Sequence, residues 1–132
     1  MKLSALYQIF LDCQSVTTDS RNCPDGSLFI ALKGESFNGN AFAKLALDSG
    51  CAFAIIDEIQ YAIEGDQRYI LVDDCLQTMQ QLANYHRRQL GTRVIGITGT
   101  NGKTTTKELI SSVLCQNHNV LYTLGNLNNH IG

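Results

Sequence analysis

The segment Gly96-Ile97-Thr98-Gly99-Thr100-Asn101-Gly102-Lys103-Thr104-Thr105-Thr106 limits what this chain can fold into more than any other. It follows the apolar run Val94–Thr98 and opens the amphipathic stretch Lys103–Leu114, so it reads as strand, loop and helix in succession. A glycine-rich loop in that context has a physical use. Gly99 and Gly102 let the backbone turn tightly, so that successive N–H groups face one concavity, and the helix start adds its partial positive charge. Lys103 then places an ammonium near the β- and γ-phosphates of a nucleotide, and the Thr104 hydroxyl is placed to ligate Mg²⁺. The common phosphate-loop pattern has a glycine five residues before Gly102. Here that position is Ile97, and glycines fall at 96 and 99 instead.

Strand and helix patterns alternate along the whole chain, which gives an α/β fold class. Leu3, Leu6, Tyr7 and Phe10 share one face of a first helix, and Ser15–Thr18 reads as a strand. Leu28–Leu32 is long enough for a buried strand and too short for a helix. Asn40 is a candidate N-cap for a helix carrying Phe42, Leu45 and Ala46 and stopped by Gly50. Ala52–Ile56 and Arg68–Val72 are further strands. Asp73 is the candidate cap of a helix with Leu76, Met79, Leu82, Ala83 and Leu90 as its apolar stripe and Gly91 as its stop. His86, Arg87 and Arg88 read as a solvated helix end near the negative pole of the dipole. Past Gly91, Val94–Thr98, Lys103–Leu114 and Asn119–Thr123 predict a β-α-β unit with a parallel strand pair. The predicted boundary puts residues 1–90 in a small mixed α/β domain and 91–132 in the start of a parallel-sheet domain. One helix cannot cover both faces of a parallel pair. The second unit is therefore expected to be the beginning of a larger domain, with apolar strand edges that favour self-association.

Composition narrows the function. Ten Lys+Arg against twelve Asp+Glu give a net charge of −2, which excludes binding nucleic acid by bulk phosphate neutralisation and gives no reason to invoke a membrane surface. A hydrophobic content of 44% in 132 residues supports a packed core rather than disorder. No apolar run spans a bilayer, and the Met1–Cys13 stretch is interrupted by Ser4, Gln8 and Asp12, unlike a signal peptide, so the chain is expected to be cytoplasmic. The five cysteines, Cys13, Cys23, Cys51, Cys75 and Cys115, are odd in number and widely spaced with no CxxC pair. They read as small hydrophobes kept reduced. Asp73 and Asp74 read as helix-capping residues rather than paired catalytic carboxylates.

Three stretches carry a family resemblance. Gly96–Ile110, GITGTNGKTTTKELI, resembles the ATP loop of the Mur ligases, the ATP-dependent amide-forming enzymes of peptidoglycan precursor synthesis. TTDSR (Thr17–Arg21), with Gly26–Gly34 after it, resembles the N-terminal uridine-nucleotide-binding domain of the members that add the third residue or the terminal dipeptide. GNLNNHIG (Gly125–Gly132) is similar to a segment of the dipeptide-adding members.

The resemblance implies an ATP site made by Gly99, Thr100, Asn101, Gly102, Lys103, Thr104 and Thr105, with Lys103 as the catalytic cation and Thr104 on Mg²⁺. It implies a UDP-sugar site to which Ser20, Arg21, Lys33, Gly34, Asn38 and Asn40 contribute, with Asn126, Asn128 and Asn129 facing the sugar and diphosphate. Relatives often have Asp-Gly-His where this chain has Asn38-Gly39-Asn40, and an acidic residue at His130, which is given no role. The implied substrates are UDP-MurNAc-tripeptide and D-Ala-D-Ala, joined through an acyl phosphate. The implied Mg²⁺ carboxylate and the amine-delivering domain are not found in these 132 residues, so the chain is expected to be an inactive part of the enzyme. Two alternatives stay open: a sibling ligase that adds the third residue, and a UDP-sugar-binding module without catalysis.

Overall fold

Leu28, Phe29 and Ile30 form a strand in which no residue is more than 1% exposed, and the N-terminal part of the protein is arranged around it. The structure, a computed structural model, describes residues 2–125. It separates into two units, Met1–Gly91 and Thr92–Gly132. In the first, α1 (Leu3–Asp12), β1 (Val16–Thr17), β2 (Leu28–Ile30), α2 (Ala43–Asp48), β3 (Phe53–Ile56), β4 (Tyr69–Leu71) and α3 (Cys75–Leu90) follow in order. Short 3-10 turns lie at Gly39–Phe42 and Ile59–Tyr61.

The four strands form one parallel sheet in the order β1-β2-β3-β4. Leu28 lies opposite Val16 on one side and Phe53 on the other, and Ile56 lies opposite Leu71. A central parallel strand must be covered on both faces, which is why β2 reads as an unbroken apolar run instead of alternating. Ala43, Ala46 and Leu47 of α2 and Leu6 and Tyr7 of α1 are buried in the same core. Because all four strands point the same way, their exits gather along one edge of the sheet, where parallel α/β sheets carry their ligand sites.

Helix α3 begins at Asp74, whose carboxylate accepts from the Gln77 N–H at 2.8 Å. Asp74, one residue after the expected Asp73, is therefore the cap. Gly91 closes the helix in the left-handed conformation at φ +61°. His86 does not point into solvent. Its Nδ1 lies 3.1 Å from the Tyr7 hydroxyl, and its ring meets Phe10 edge-on at 4.9 Å, while Tyr7 and Tyr85 pack T-shaped at 4.9 Å. This aromatic cluster joins α1 to α3, and aromatic pairs add roughly 0.5–1.5 kcal/mol beyond their buried area. The apolar stripe of α3 ends sooner than expected, since Leu90 is 61% exposed.

All five cysteines are free. Burial pushes the Cys75 thiol up to about 12 and the Cys23 thiol up to about 11, so neither is a thiolate at neutral pH. Cys51 and Cys75 pack as buried hydrophobes, as the sequence reading expects, and Cys13 and Cys23 are half-buried, but Cys115 is exposed.

In the second unit α4 runs from Lys103 to Leu114, the predicted span. The strands expected at Val94–Thr98 and Asn119–Thr123 are not formed, because neither belongs to a ladder among the described residues. Two strands and one helix bury too little to hold a parallel pair. Val94, Ile95, Leu109 and Val113 are each more than 60% exposed, and Ser111 is the one buried residue described in this unit.

Gly39 is where the first unit tolerates least. A Cβ there would lie 2.4 Å from the Leu32 carbonyl oxygen, in a turn whose own N–H donates to that same oxygen at 2.9 Å. Gly39→Ala is expected to cost about 1–3 kcal/mol, the range of overpacked sites, read as a lower urea midpoint at unchanged slope. An unchanged midpoint would show that the turn can move away from β2.

Candidate functional site

At the edge where β2 and β3 end, six residues form one hydrogen-bonded cluster. Asp57 directly follows β3, and its side chain is 5% exposed. Its Oδ1 accepts from Asn40 Nδ2 at 2.8 Å and pairs with Lys33 Nζ at 3.1 Å. Its Oδ2 accepts from the Cys75 N–H, at the start of α3, at 3.2 Å. Glu58 accepts from Asn38 Nδ2 through both oxygens at 3.2 Å and from Lys33 at 3.4 Å. Asn38 also caps the 3-10 turn, accepting from the Asn40 N–H at 3.0 Å and from Asn40 Nδ2 at 2.9 Å. Burial alone would raise the Asp57 carboxyl. The donors from Asn40, Cys75 and Lys33 outweigh that and leave it below its ordinary value, so it stays ionised.

These contacts sort the predicted UDP-site residues. Asn40 is 1% exposed, both its amide hydrogens are donated within the cluster, and its Oδ1 accepts from the Asp57 N–H at 3.0 Å. It is neither a helix N-cap nor free to touch a ligand, and it holds the turn from beneath. Lys33 is 47% exposed and presents its outer side to solvent. Gly34 donates its N–H to the Phe37 carbonyl at 3.0 Å and closes the loop between Lys33 and Asn38, which pair as an isolated antiparallel bridge. Sequence reasoning missed Asp57 and Glu58. The available signal was their position, two acidic residues directly at the carboxyl end of a buried strand.

The loop after β1 carries the DSR residues. Asp19 grips Arg21 through Nε at 2.9 Å and Nη2 at 2.8 Å and also accepts the Arg21 backbone N–H at 3.0 Å. Thr17 Oγ1 donates to the Asn22 carbonyl at 2.8 Å and accepts the Asp19 N–H at 3.2 Å. The Ser20 carbonyl accepts from the Cys23 thiol at 3.4 Å. The loop thus folds on itself and leaves the Arg21 side chain 86% exposed.

The second unit holds the glycine loop. Gly99 (φ +149°) and Gly102 (φ +76°) both take conformations closed to most side chains, and Gly102 is the N-cap residue of α4. As at any helix start, the first-turn N–H groups have no acceptor inside the helix. Lys103 Nζ donates back to the Gly99 carbonyl at 2.6 Å, folding the side chain over the loop. Lys103, Thr104, Lys107, Tyr122, Thr123 and Gly125 border a recess of about 290 Å³ whose remaining walls are Ile95, Ile97 and Leu121. That volume lies at the lower limit of small-molecule sites, which run roughly 300–1,000 Å³. Thr100, Asn101 and Thr105 are exposed. Asn126, Asn128, Asn129 and His130 lie outside the described residues.

A glycine loop at a helix start and a parallel α/β unit with a polar cluster on its carboxyl edge are both features of nucleotide-handling α/β proteins. Comparison with known proteins gives the family. Residues 12–87 match the Mur ligase family, catalytic domain, and residues 97–132 match the Mur ligase middle domain. The chain belongs to the Mur ligase family. It is 48% identical over 117 residues to the UDP-N-acetylmuramoyl-tripeptide–D-alanyl-D-alanine ligase of Bacillus subtilis, an alignment covering 89% of this chain and 26% of the relative. It is 40% identical over 118 residues to the Escherichia coli protein of the same name, covering 89% and 25%. Among solved structures it is similar to MurF from Acinetobacter baumannii (TM-score 0.82, 33% identity, 98% of this chain and 31% of that one). It is also similar to the MurF ligase from Thermotoga maritima in complex with ADP (TM-score 0.79, 31% identity, 90% and 27%). The chain spans about a quarter of the length of the curated relatives it matches.

The DSR loop makes a measurable statement. The Arg21 guanidinium holds the Asp19 carboxyl down at about 2, against an ordinary value of 3.8. A carboxyl with a depressed folded pKa contributes stability above its unfolded pKa and loses it as pH falls through the folded one. Carboxyl ¹³C NMR should therefore place the Asp19 titration near 2, and Arg21→Ala should return it toward 3.8. A midpoint near 4 in the parent chain would mean the grip does not form in solution.

Proposed function

We propose that this chain provides the UDP-substrate unit and the ATP loop of a ligase that adds D-Ala-D-Ala to UDP-MurNAc-tripeptide. Residues 1–90 are read as the UDP-substrate domain and residues 91–132 as the start of the central ATPase domain. The observation that carries the reading is the pairing, within one chain, of a Lys-Thr phosphate loop on α4 with the polar carboxyl edge of a four-stranded parallel sheet. The names of the relatives support the choice of dipeptide as the amine.

In the reaction, the γ-phosphoryl group of ATP passes to the C-terminal carboxylate of UDP-MurNAc-tripeptide, giving an acyl phosphate and ADP. The amine of D-Ala-D-Ala attacks the carbonyl carbon, the bond to phosphate breaks, and the amide and inorganic phosphate leave. Lys103 swings off the Gly99 carbonyl and donates to the phosphate oxygens, while the loop N–H groups of Gly99–Gly102 and the start of α4 stabilise the charge that develops on them. Mg²⁺, when bound, neutralises phosphate charge. Thr104, exposed in the first turn of α4, offers it one hard oxygen.

On the UDP side, Ser20, Arg21, Lys33, Gly34 and Asn38 form the contact surface, with Asn40 supporting it. Asn126, Asn128 and Asn129 belong to the same substrate reading. Lys33 already faces two carboxylates, so it suits a neutral hydrogen-bonding part of the nucleotide better than the diphosphate. No helix among the described residues is long and apolar enough to cross a membrane.

A thermal-shift titration with UDP-MurNAc-tripeptide, UDP and Mg-ATP separately tests the assignment. A ligand specific to the folded state stabilises by about 2.7 kcal/mol at 100 times its dissociation constant, so the UDP ligands should raise the midpoint by several degrees. If Mg-ATP alone raises it, the UDP assignment of residues 1–90 is wrong.

A further inference from the structure

Lys107 stands four residues after Lys103 on α4, so the two lysines share a face, and both border the recess at the glycine loop. They reach different backbone segments. Lys103 folds back to the Gly99 carbonyl, whereas Lys107 extends to the backbone on the far side of the recess. Its ammonium donates to the Thr123 carbonyl and, at 3.1 Å, to the Gly125 carbonyl, and it pairs with the Glu108 carboxylate at 2.9 Å. An ammonium has three N–H groups, and each has an acceptor here. Its side chain is only 13% exposed, while that of Glu108 is 51% exposed, so the carbonyl contacts are the sheltered ones. The ammonium also lies 5.9 Å from the centre of the Tyr122 ring. No strand ladder holds residues 119–125 among the described residues, so this segment depends on side-chain ties.

We propose that Lys107 is a positioning residue of the nucleotide site: it clamps the Thr123–Gly125 backbone to α4 and so fixes the wall of the recess opposite Lys103. It acts through that backbone and makes no contact with the nucleotide. The division of labour is physical. With its protons committed to neutral carbonyls and one carboxylate, Lys107 orders chain, and Lys103, which among the described residues donates to the Gly99 loop carbonyl, is the lysine that can move to phosphate. This inference rests on the ATP reading of the loop, but the clamp has a readout that needs no nucleotide.

The test uses the full chain and three variants, Lys107→Met, Lys107→Arg and Lys103→Met, with ¹⁵N backbone order parameters for Thr123–Gly125 and Mg-ATP binding by calorimetry. Lys107→Met should drop those order parameters from the rigid range near about 0.85 to below about 0.6. It should also weaken Mg-ATP by about tenfold, the scale of one or two lost charge-assisted hydrogen bonds. Lys107→Arg, which can still donate to both carbonyls, should restore rigidity and most of the affinity. Lys103→Met should weaken Mg-ATP while leaving the order parameters unchanged. Unchanged order parameters in Lys107→Met would overturn the clamp. Weaker Mg-ATP with unchanged order parameters would also overturn it, because that pattern marks direct contact with the nucleotide. If the parent chain binds no Mg-ATP, the nucleotide reading fails and takes the positioning role with it, and the order parameters then report on the clamp alone.

Discussion

The carboxylate of Asp57 is the interaction on which the first unit most depends. A parallel sheet buried on both faces leaves its polar work to the loops at its ends, and those loops must be tied together without water. Asp57, itself at the exit of β3, ties three of them. Its two oxygens receive the exit of β2 through Lys33, the 3-10 turn through Asn40 and the start of α3 through the Cys75 N–H, and its own N–H returns a bond to Asn40. Removing one partner of such a buried, saturated group strands the others, which is far costlier than the modest net worth of each bond suggests. The shape of the candidate substrate surface follows from this tie, because Lys33, Gly34 and Asn38 are placed by it.

The second unit poses the opposite problem. Its helix and glycine loop are locally well specified, but it has almost no interior among its described residues, and large apolar side chains on α4 and on the segment before the loop stand in solvent. What the loop needs for phosphate recognition is local: positive-φ glycines, a helix start and a lysine on its first turn. A fixed wall opposite that lysine is not local, and a sheltered ammonium on carbonyl oxygens is one way to make it without a sheet.

Legibility in the sequence follows the same division. The span of α4, the Gly91 stop of α3 and the buried run at β2 could be read directly, because capping chemistry and periodicity are properties of neighbouring residues. The Asp57 cluster could not, since its members come from positions 33 to 75 and only the fold brings them together. Asn40 looked like a cap or a ligand contact because Asn suits both, and burial decides otherwise. His86 looked solvated beside two arginines, yet its ring packs against Tyr7 and Phe10 of a distant helix. Strands at Val94–Thr98 and Asn119–Thr123 fit the pattern of their residues, but a ladder needs partners and cover that local pattern cannot supply.

On the proposed function, one chain carries two chemically distinct recognition surfaces, a UDP surface at the carboxyl edge of the sheet and a phosphate loop at α4. Mapping backbone amide shifts by NMR during separate titrations with UDP and Mg-ATP tests it most directly. UDP is expected to move resonances of Asp19–Arg21 and Lys33–Asn38 and to leave Gly99–Lys107 in place, while Mg-ATP does the reverse. Both ligands moving the same set of amides, or UDP moving only the glycine loop, would contradict it.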